Sequence, residues 1–192
     1  MPPKVKITKE DIIQKALEIV RTNGEQALNA RNIASALNCS TQPVFFNFAT
    51  MEELRESVIK AAYGLYASFL QQEVENGKYP KYKSFGMAYI RFAGEEKELF
   101  KLLFMRDRTC ENVSFAPDFD ESVQMIMDSN GISREKAILI HTEMWMFVHG
   151  IGTMFATSFL TLEWETVSSM LTDIYQGLRV RHMTENNENG CN

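Results

Sequence analysis

Apolar residues recur three and four positions apart along almost the whole chain, and alternation with period two is never sustained, so the pattern predicts helices throughout. Ile12, Ile13, Ala16, Leu17 and Val20 form the first stripe. Thr8 with Asp11 three positions on is a capping-box arrangement that opens it, and Gly24 closes it. A short helix is predicted over about 30–37, with Asn29 as its cap and Ile33, Ala34 and Leu37 facing inward. Asn38, Cys39 and Ser40 then make a tight turn, and a third helix is predicted from Thr41. Ser40 is expected to cap it, and Pro43 falls in its first turn, where a missing N–H is tolerated.

A second capping box, Thr50 with Glu53, starts a long helix through Leu54, Val58, Ala62, Leu65 and Phe69. Past Gly77 and Pro80 the stripe resumes at Phe85, Ala88, Tyr89 and Phe92, and a Leu- and Phe-rich segment over 99–105 reads as another helix. Residues 106–120, with Pro117 as breaker, read as a loop. A short helix around Met125 is stopped by Asn130-Gly131. Ser133 caps a long apolar helix reaching about Leu160, a last helix covers about 163–181, and the polar tail from Thr184 is expected to fray. The predicted class is all-α: a tri-helical helix-turn-helix head over 1–50 and a larger helical body over 51–192.

Composition narrows the picture. Hydrophobic residues at 45% and charged residues at 23% are those of an ordinary globular protein. No apolar run is long enough to span a membrane and no signal sequence opens the chain, so no membrane partner and a cytoplasmic address are expected. Cys39, Cys110 and Cys191 are widely spaced with no CxxC pattern, which suggests neither a disulfide framework nor a zinc site; no metal and no cofactor is expected. The formal net charge of −5 is uneven. Through Lys60 there are eight Lys or Arg against seven Asp or Glu, whereas the remainder has twelve against eighteen. That asymmetry suits a head that approaches phosphate and a body that does not.

In a helix-turn-helix, residues at the start of the second short helix reach base edges in the major groove. Ser40, Thr41, Gln42 and Asn47 are the available readers, Gln42 being able to make a two-point contact with adenine. The plain alternative for Ser40, Thr41 and Asn47 is that they are cap and surface residues. The run Ala27-Leu-Asn-Ala-Arg-Asn-Ile-Ala-Ser-Ala-Leu-Asn-Cys-Ser40, followed by Val44-Phe-Phe-Asn-Phe48 and Met51-Glu-Glu-Leu54, resembles the TetR family signature over about residues 8–60. The resemblance implies a phosphate contact for Arg31. Phe45, Phe46 and Phe48 read mainly as packing; Phe45 is also placed to meet a thymine methyl or sugar, and Phe45 and Phe46 are counted with the DNA-facing set. Two family features are missing: Phe45 stands where a Tyr usually supplies a hydroxyl to phosphate, and Met51 where a Lys is usual. Each lost contact is worth about 1 kcal/mol, so modest affinity and a shallow salt dependence are expected, with Lys4, Lys6 and Lys9 on the N-terminal arm as compensation.

The same resemblance implies an effector cavity in the body and a homodimer formed by the last two long helices. Eleven methionines and thirteen phenylalanines suit an apolar or aromatic small molecule, although such residues at helical spacing are more often plain core. The expected ligand-facing residues are Phe85, Tyr89, Phe92, Phe104, Met125, His141, Trp145 and His149; the Trp-x-x-x-His-Gly element at Trp145–Gly150 resembles a Trp-His-Gly variant of the family's C-terminal domain. Gly152, Ala156, Trp164, Val167, Leu171 and Ile174 are expected at the dimer seam. A twofold dimer would read a pseudo-palindromic operator in double-stranded DNA. The function expected is a repressor whose operator affinity falls when the effector binds. The alternative is a TetR-like ligand-binding or protein-interaction module that has lost strong operator binding. No catalytic constellation or phosphate loop points to an enzyme.

Overall fold

The computed structural model describes residues 7–107 and 119–188, with the backbone alone over 183–188. Among these residues every regular element is helical: α1 (Lys9–Asn23), a 3-10 turn (Glu25–Ala27), α2 (Ala30–Ala36), α3 (Gln42–Asn47), α4 (Met51–Glu75), α5 (Lys81–Glu95), α6 (Lys97–Phe104), α7 (Phe119–Asn130), α8 (Arg134–Ala156) and α9 (Trp164–Glu188). The all-α expectation holds. The chain forms two compact units, one from the residues through Ser68 together with Glu95–Arg106, the other from Phe69–Gly94 together with the chain from Asp107 onward. Helix α4 runs unbroken from the first unit into the second.

In the first unit, Thr8 and Asp11 close the capping box of α1, the Thr8 hydroxyl accepting from the Asp11 N–H at 3.1 Å and the Asp11 carboxylate accepting from the Thr8 N–H at 2.9 Å. Asn29 caps α2 by accepting from the Asn32 N–H. The turn that follows passes through Asn38 at φ 51°, left-handed backbone that Asn adopts more readily than most residues. Ile12, Ala16, Val20, Ile33, Val44, Phe48, Leu54, Val58, Leu99 and Phe100 fill the unit's core. Helix α6 packs on α1. Glu96, at the N-cap of α6, does not cap its own helix; its buried carboxylate takes the Arg21 guanidinium of α1 through two hydrogen bonds.

One boundary and one cap differ from the sequence expectation here. Helix α3 starts one residue later, at Gln42, and neither Ser40 nor Thr41 caps it with a side chain; Pro43 in the first turn leaves one fewer N–H to satisfy. At α4 the Thr50 hydroxyl does accept from the Glu53 N–H at 3.1 Å, but the returning Glu53 carboxylate takes the N–H of Ala49 rather than that of Thr50.

In the second unit, α5, α8 and α9 meet closely at Gly86, where a Cβ would stand 3.0 Å from Leu171 and 3.4 Å from Val148. Ile90, Phe92, Val123, Ile126, Ala137, Ile140, Ile151 and Val167 are buried around them. The Ser133 hydroxyl caps α8 as expected. Helix α8 stops at Ala156, short of Leu160, because Thr157 closes it and Ser158 turns left-handed at φ 57°. Helix α9 continues to Glu188, past the Thr184 at which fraying was expected. Among the described residues no helix is long and apolar enough to cross a membrane, and no group of three or more His, Cys, Asp or Glu could hold a metal ion.

Candidate functional site

The surface of the first unit around α3 combines polar and apolar groups. Arg31, Ser40 and Gln42 are exposed, and Thr41 and Asn47 are half-buried. The Asn47 amide donates to the Pro43 carbonyl at 2.8 Å, so it secures the end of its own helix, as the plain reading of that residue had it. Lys6 lies outside the described residues. Phe48 is buried under the Lys9 ammonium, 4.6 Å from its ring centre. Phe45 and Phe46 correct the packing expectation: they are 55% and 83% exposed, because Val44 and Phe48 already fill the space beneath so short a helix.

Four of the basic residues from Lys9 to Lys60 are held in ion pairs. Lys9 pairs with Glu53 at 2.9 Å, Lys15 with Glu18, Arg21 with Glu96, and Arg55 with both Glu25 and Glu52. The hydrogen bond from Lys9, helped by the Ala49 N–H, holds Glu53 below the usual carboxylate range. Of the basic residues from Lys9 to Lys60, Arg31 and Lys60 make no ion pair. Counting formal charges along the chain could not show this, since it depends on which carboxylates fold beside which cations.

The second unit holds two Tyr–His pairs between α5 and α8. The Tyr82 hydroxyl and His141 Nδ1 share a hydrogen bond at 3.1 Å, and the Tyr89 hydroxyl and His149 Nδ1 share one at 2.8 Å. Burial pushes His141 down to about 4 and lowers His149 as well, so both imidazoles are neutral near pH 7. The edge of Phe119 meets His141 with centroids 5.2 Å apart. Tyr175 lies against Tyr82, and its hydroxyl accepts from the Asn130 amide at 2.9 Å. At the other pair, Trp145 stacks on His149 with centroids 5.2 Å apart and planes 13° from parallel. Sequence reasoning found both histidines and Tyr89 but missed Tyr82. The signal was present: the tyrosines are seven residues apart and the histidines eight, two turns on each of two facing helices.

The other expected ligand-facing residues stand in several settings. Phe92 is buried edge-on against Phe69, Phe85 lies beneath the Lys81 ammonium, and Met125 is half-buried on α7. Phe104 belongs to the first unit, in a ring cluster with Tyr63, Tyr66 and Phe100. Of the residues expected at the dimer seam, Gly152, Ala156, Val167 and Leu171 are buried within the chain itself. Trp164 is half-buried, with the Arg91 guanidinium 4.8 Å from its ring and Glu73 taking the other side of that guanidinium at 3.1 Å. Ile174 is exposed, as are Leu139, Met146 and Met154 on α8 and Val180 on α9.

No family model matches the chain, and no curated protein matches it by sequence. Solved structures do match. A member of the TetR family from Streptomyces coelicolor superposes with a TM-score of 0.61 at 14% identity, over 86% of this chain and 96% of that one. A single-site variant of TetR from Acinetobacter baumannii, in complex with minocycline, superposes with a TM-score of 0.54 at 13% identity, over 95% of this chain and 98% of that one. The chain therefore has the fold of TetR-family structures, matched along nearly its whole described length.

Proposed function

We propose that this chain is a TetR-family regulator: a homodimeric, DNA-binding transcriptional repressor, acting in the cytoplasm, whose operator affinity falls when a small apolar or aromatic effector binds. The observation that carries this reading is the helix, turn and short helix formed by α2 and α3, with Arg31, Ser40, Gln42, Phe45 and Phe46 exposed on it. The shared fold supports the rest, and the minocycline complex of one structural neighbour supports a small-molecule effector for the larger unit.

The seam proposed for the dimer is drawn on the exposed apolar residues: Leu139 and Met146 on α8, Ile174 and Val180 on α9. At Gly150 and Gly177 a Cβ would meet nothing within 4 Å, which leaves both helices room for close approach by a second copy. Effector binding would then bias α4, the helix that contributes to both units, and change the spacing of the two α3 helices on DNA.

Selection of bound sequences from a random duplex pool by the full chain tests this reading. A twofold-symmetric site should emerge, and its affinity should fall when a ligand that raises the protein's melting temperature is added. Failure to enrich any sequence rejects the repressor reading. The ion-paired state of Lys9, Lys15, Arg21 and Arg55 favours a second reading, a ligand-binding or protein-interaction module without strong operator binding, and that same failure would support it.

A further inference from the structure

We infer that Gln42 and Phe46 form a reading pair for A·T-rich half-sites, in which the Phe46 ring packs on a thymine methyl; the inference rests on the proposed DNA-binding role of α3. Residues four apart lie on one helix face, and the face shared by these two points away from Val44, which is fully buried. Among the described residues of the first unit, the large apolar side chains left exposed are Phe45, Phe46 and Met105. Phe46, at 83%, is the most exposed of these, and it sits one turn from an exposed primary amide.

The major groove displays one apolar group, the C5-methyl of thymine, and adenine is the base that a side-chain amide can grip at two points. An amide and an aromatic ring one turn apart therefore match neighbouring A·T pairs, and neither has a partner of the same kind on a G·C pair. The charge pattern points the same way. With Lys9, Lys15, Arg21 and Arg55 paired with carboxylates, fewer cations of the first unit are free for phosphate, and contacts to bases carry a larger share of binding. Phe45, on the flank of the same helix, has no hydroxyl to offer a phosphate and extends the apolar strip beside Phe46.

The test uses the full chain and the symmetric site obtained from the random pool. Each thymine in turn is replaced by deoxyuridine, which removes only the methyl group, and Kd is measured by fluorescence anisotropy. At one position per half-site the loss should be about fourfold, the worth of one buried methyl group, and about fifteenfold when both half-sites are changed. Phe46→Ser, at a surface position, should keep the melting temperature and should bind the thymine and deoxyuridine sites equally. Gln42→Ala should keep the methyl dependence and relax base preference at a neighbouring pair.

A selected site whose affinity changes less than about 1.5-fold at every deoxyuridine position overturns the reading pair while leaving the DNA-binding proposal intact. Methyl dependence that persists in Phe46→Ser does the same. Enrichment of no sequence removes the DNA-binding proposal itself and the reading pair with it.

Discussion

The first compact unit turns two phenylalanine rings outward at Phe45 and Phe46, while the second turns two imidazoles inward at His141 and His149. Each arrangement reverses what the side-chain type would choose. In the second unit the reversal is compensated, because each imidazole is neutral and shares a hydrogen bond with a tyrosine. In the first unit the two rings stay 55% and 83% exposed among the described residues, so much of their surface meets solvent. One reversal is an internal matter of stability, and the other is where the proposed DNA contact is placed.

The largest effect that can break this contrast is the acid response of the second unit. His141 takes up a proton near 6.5 in the unfolded chain but only near 4 in the folded one. Between those values the unfolded state binds more protons, so stability is complete above about pH 6.5 and is lost as the pH falls towards 4. The loss attributable to this residue is about 3 kcal/mol. Urea unfolding at pH 7 and pH 4.5, with the wild type compared to His141→Gln, should show a smaller pH dependence in the variant. Equal dependence in both would mean that His141 is accessible to protons in the native state.

Next in size is the Arg21–Glu96 pair, which fastens α6 to α1 within the first unit. Glu96 is almost fully buried, with a side chain 4% exposed, whereas Arg21 is 56% exposed. Arg21→Ala leaves a buried carboxylate without its cation. Because solvent still reaches the guanidinium, the expected loss is roughly 2 kcal/mol, below the range for a wholly buried pair. Glu96→Gln should lose less, since a neutral amide tolerates burial better than an orphaned charge. The reverse order, read from urea midpoints, would show that burial of the carboxylate is not what the pair offsets.

These two features differ from the fold class and the helix caps in how far the sequence foretold them. The fold class, the capping of α1, α2 and α8, and the helix-turn-helix could be read because they depend on residues within a few positions of one another: Thr8 with Asp11, Asn29 with Asn32, Ser133 with Lys136. The Arg21–Glu96 and Tyr82–His141 pairs join residues 75 and 59 positions apart; matching two-turn spacings hint at the second pair, but nothing local to Arg21 or Glu96 announces the first. The exposure of Phe45 and Phe46 failed to show for another reason. An aromatic run inside a helical stripe reads as core unless the length of the helix is known, and α3 at six residues has room to bury only Val44 and the closing Phe48.

A smaller effect separates the two Tyr–His pairs from simple packing. Tyr89→Phe keeps the ring and removes the hydroxyl that shares a hydrogen bond with the half-buried His149, so it should lower stability by about 1 kcal/mol. Trp145 still stacks on that imidazole, and its fluorescence reports the loss directly. A variant as stable as the wild type, with unchanged emission, would mean that water replaces the tyrosine hydroxyl without penalty.

The smallest effect on stability is expected at the residue with the largest proposed role outside the chain. Phe46→Ser removes a ring that touches little of its own protein, and changes at such surface positions usually stay within about 0.5 kcal/mol. Thermal melting of Phe46→Ser beside Phe48→Ser separates surface from core on a single short helix. Phe48, 1% exposed beneath Lys9, should cost about 3 kcal/mol or more when truncated, as buried aromatic rings do. A loss at Phe46 approaching that at Phe48 would mean that the ring is covered within the folded chain, and it would remove the contrast between outward rings and inward imidazoles at its source.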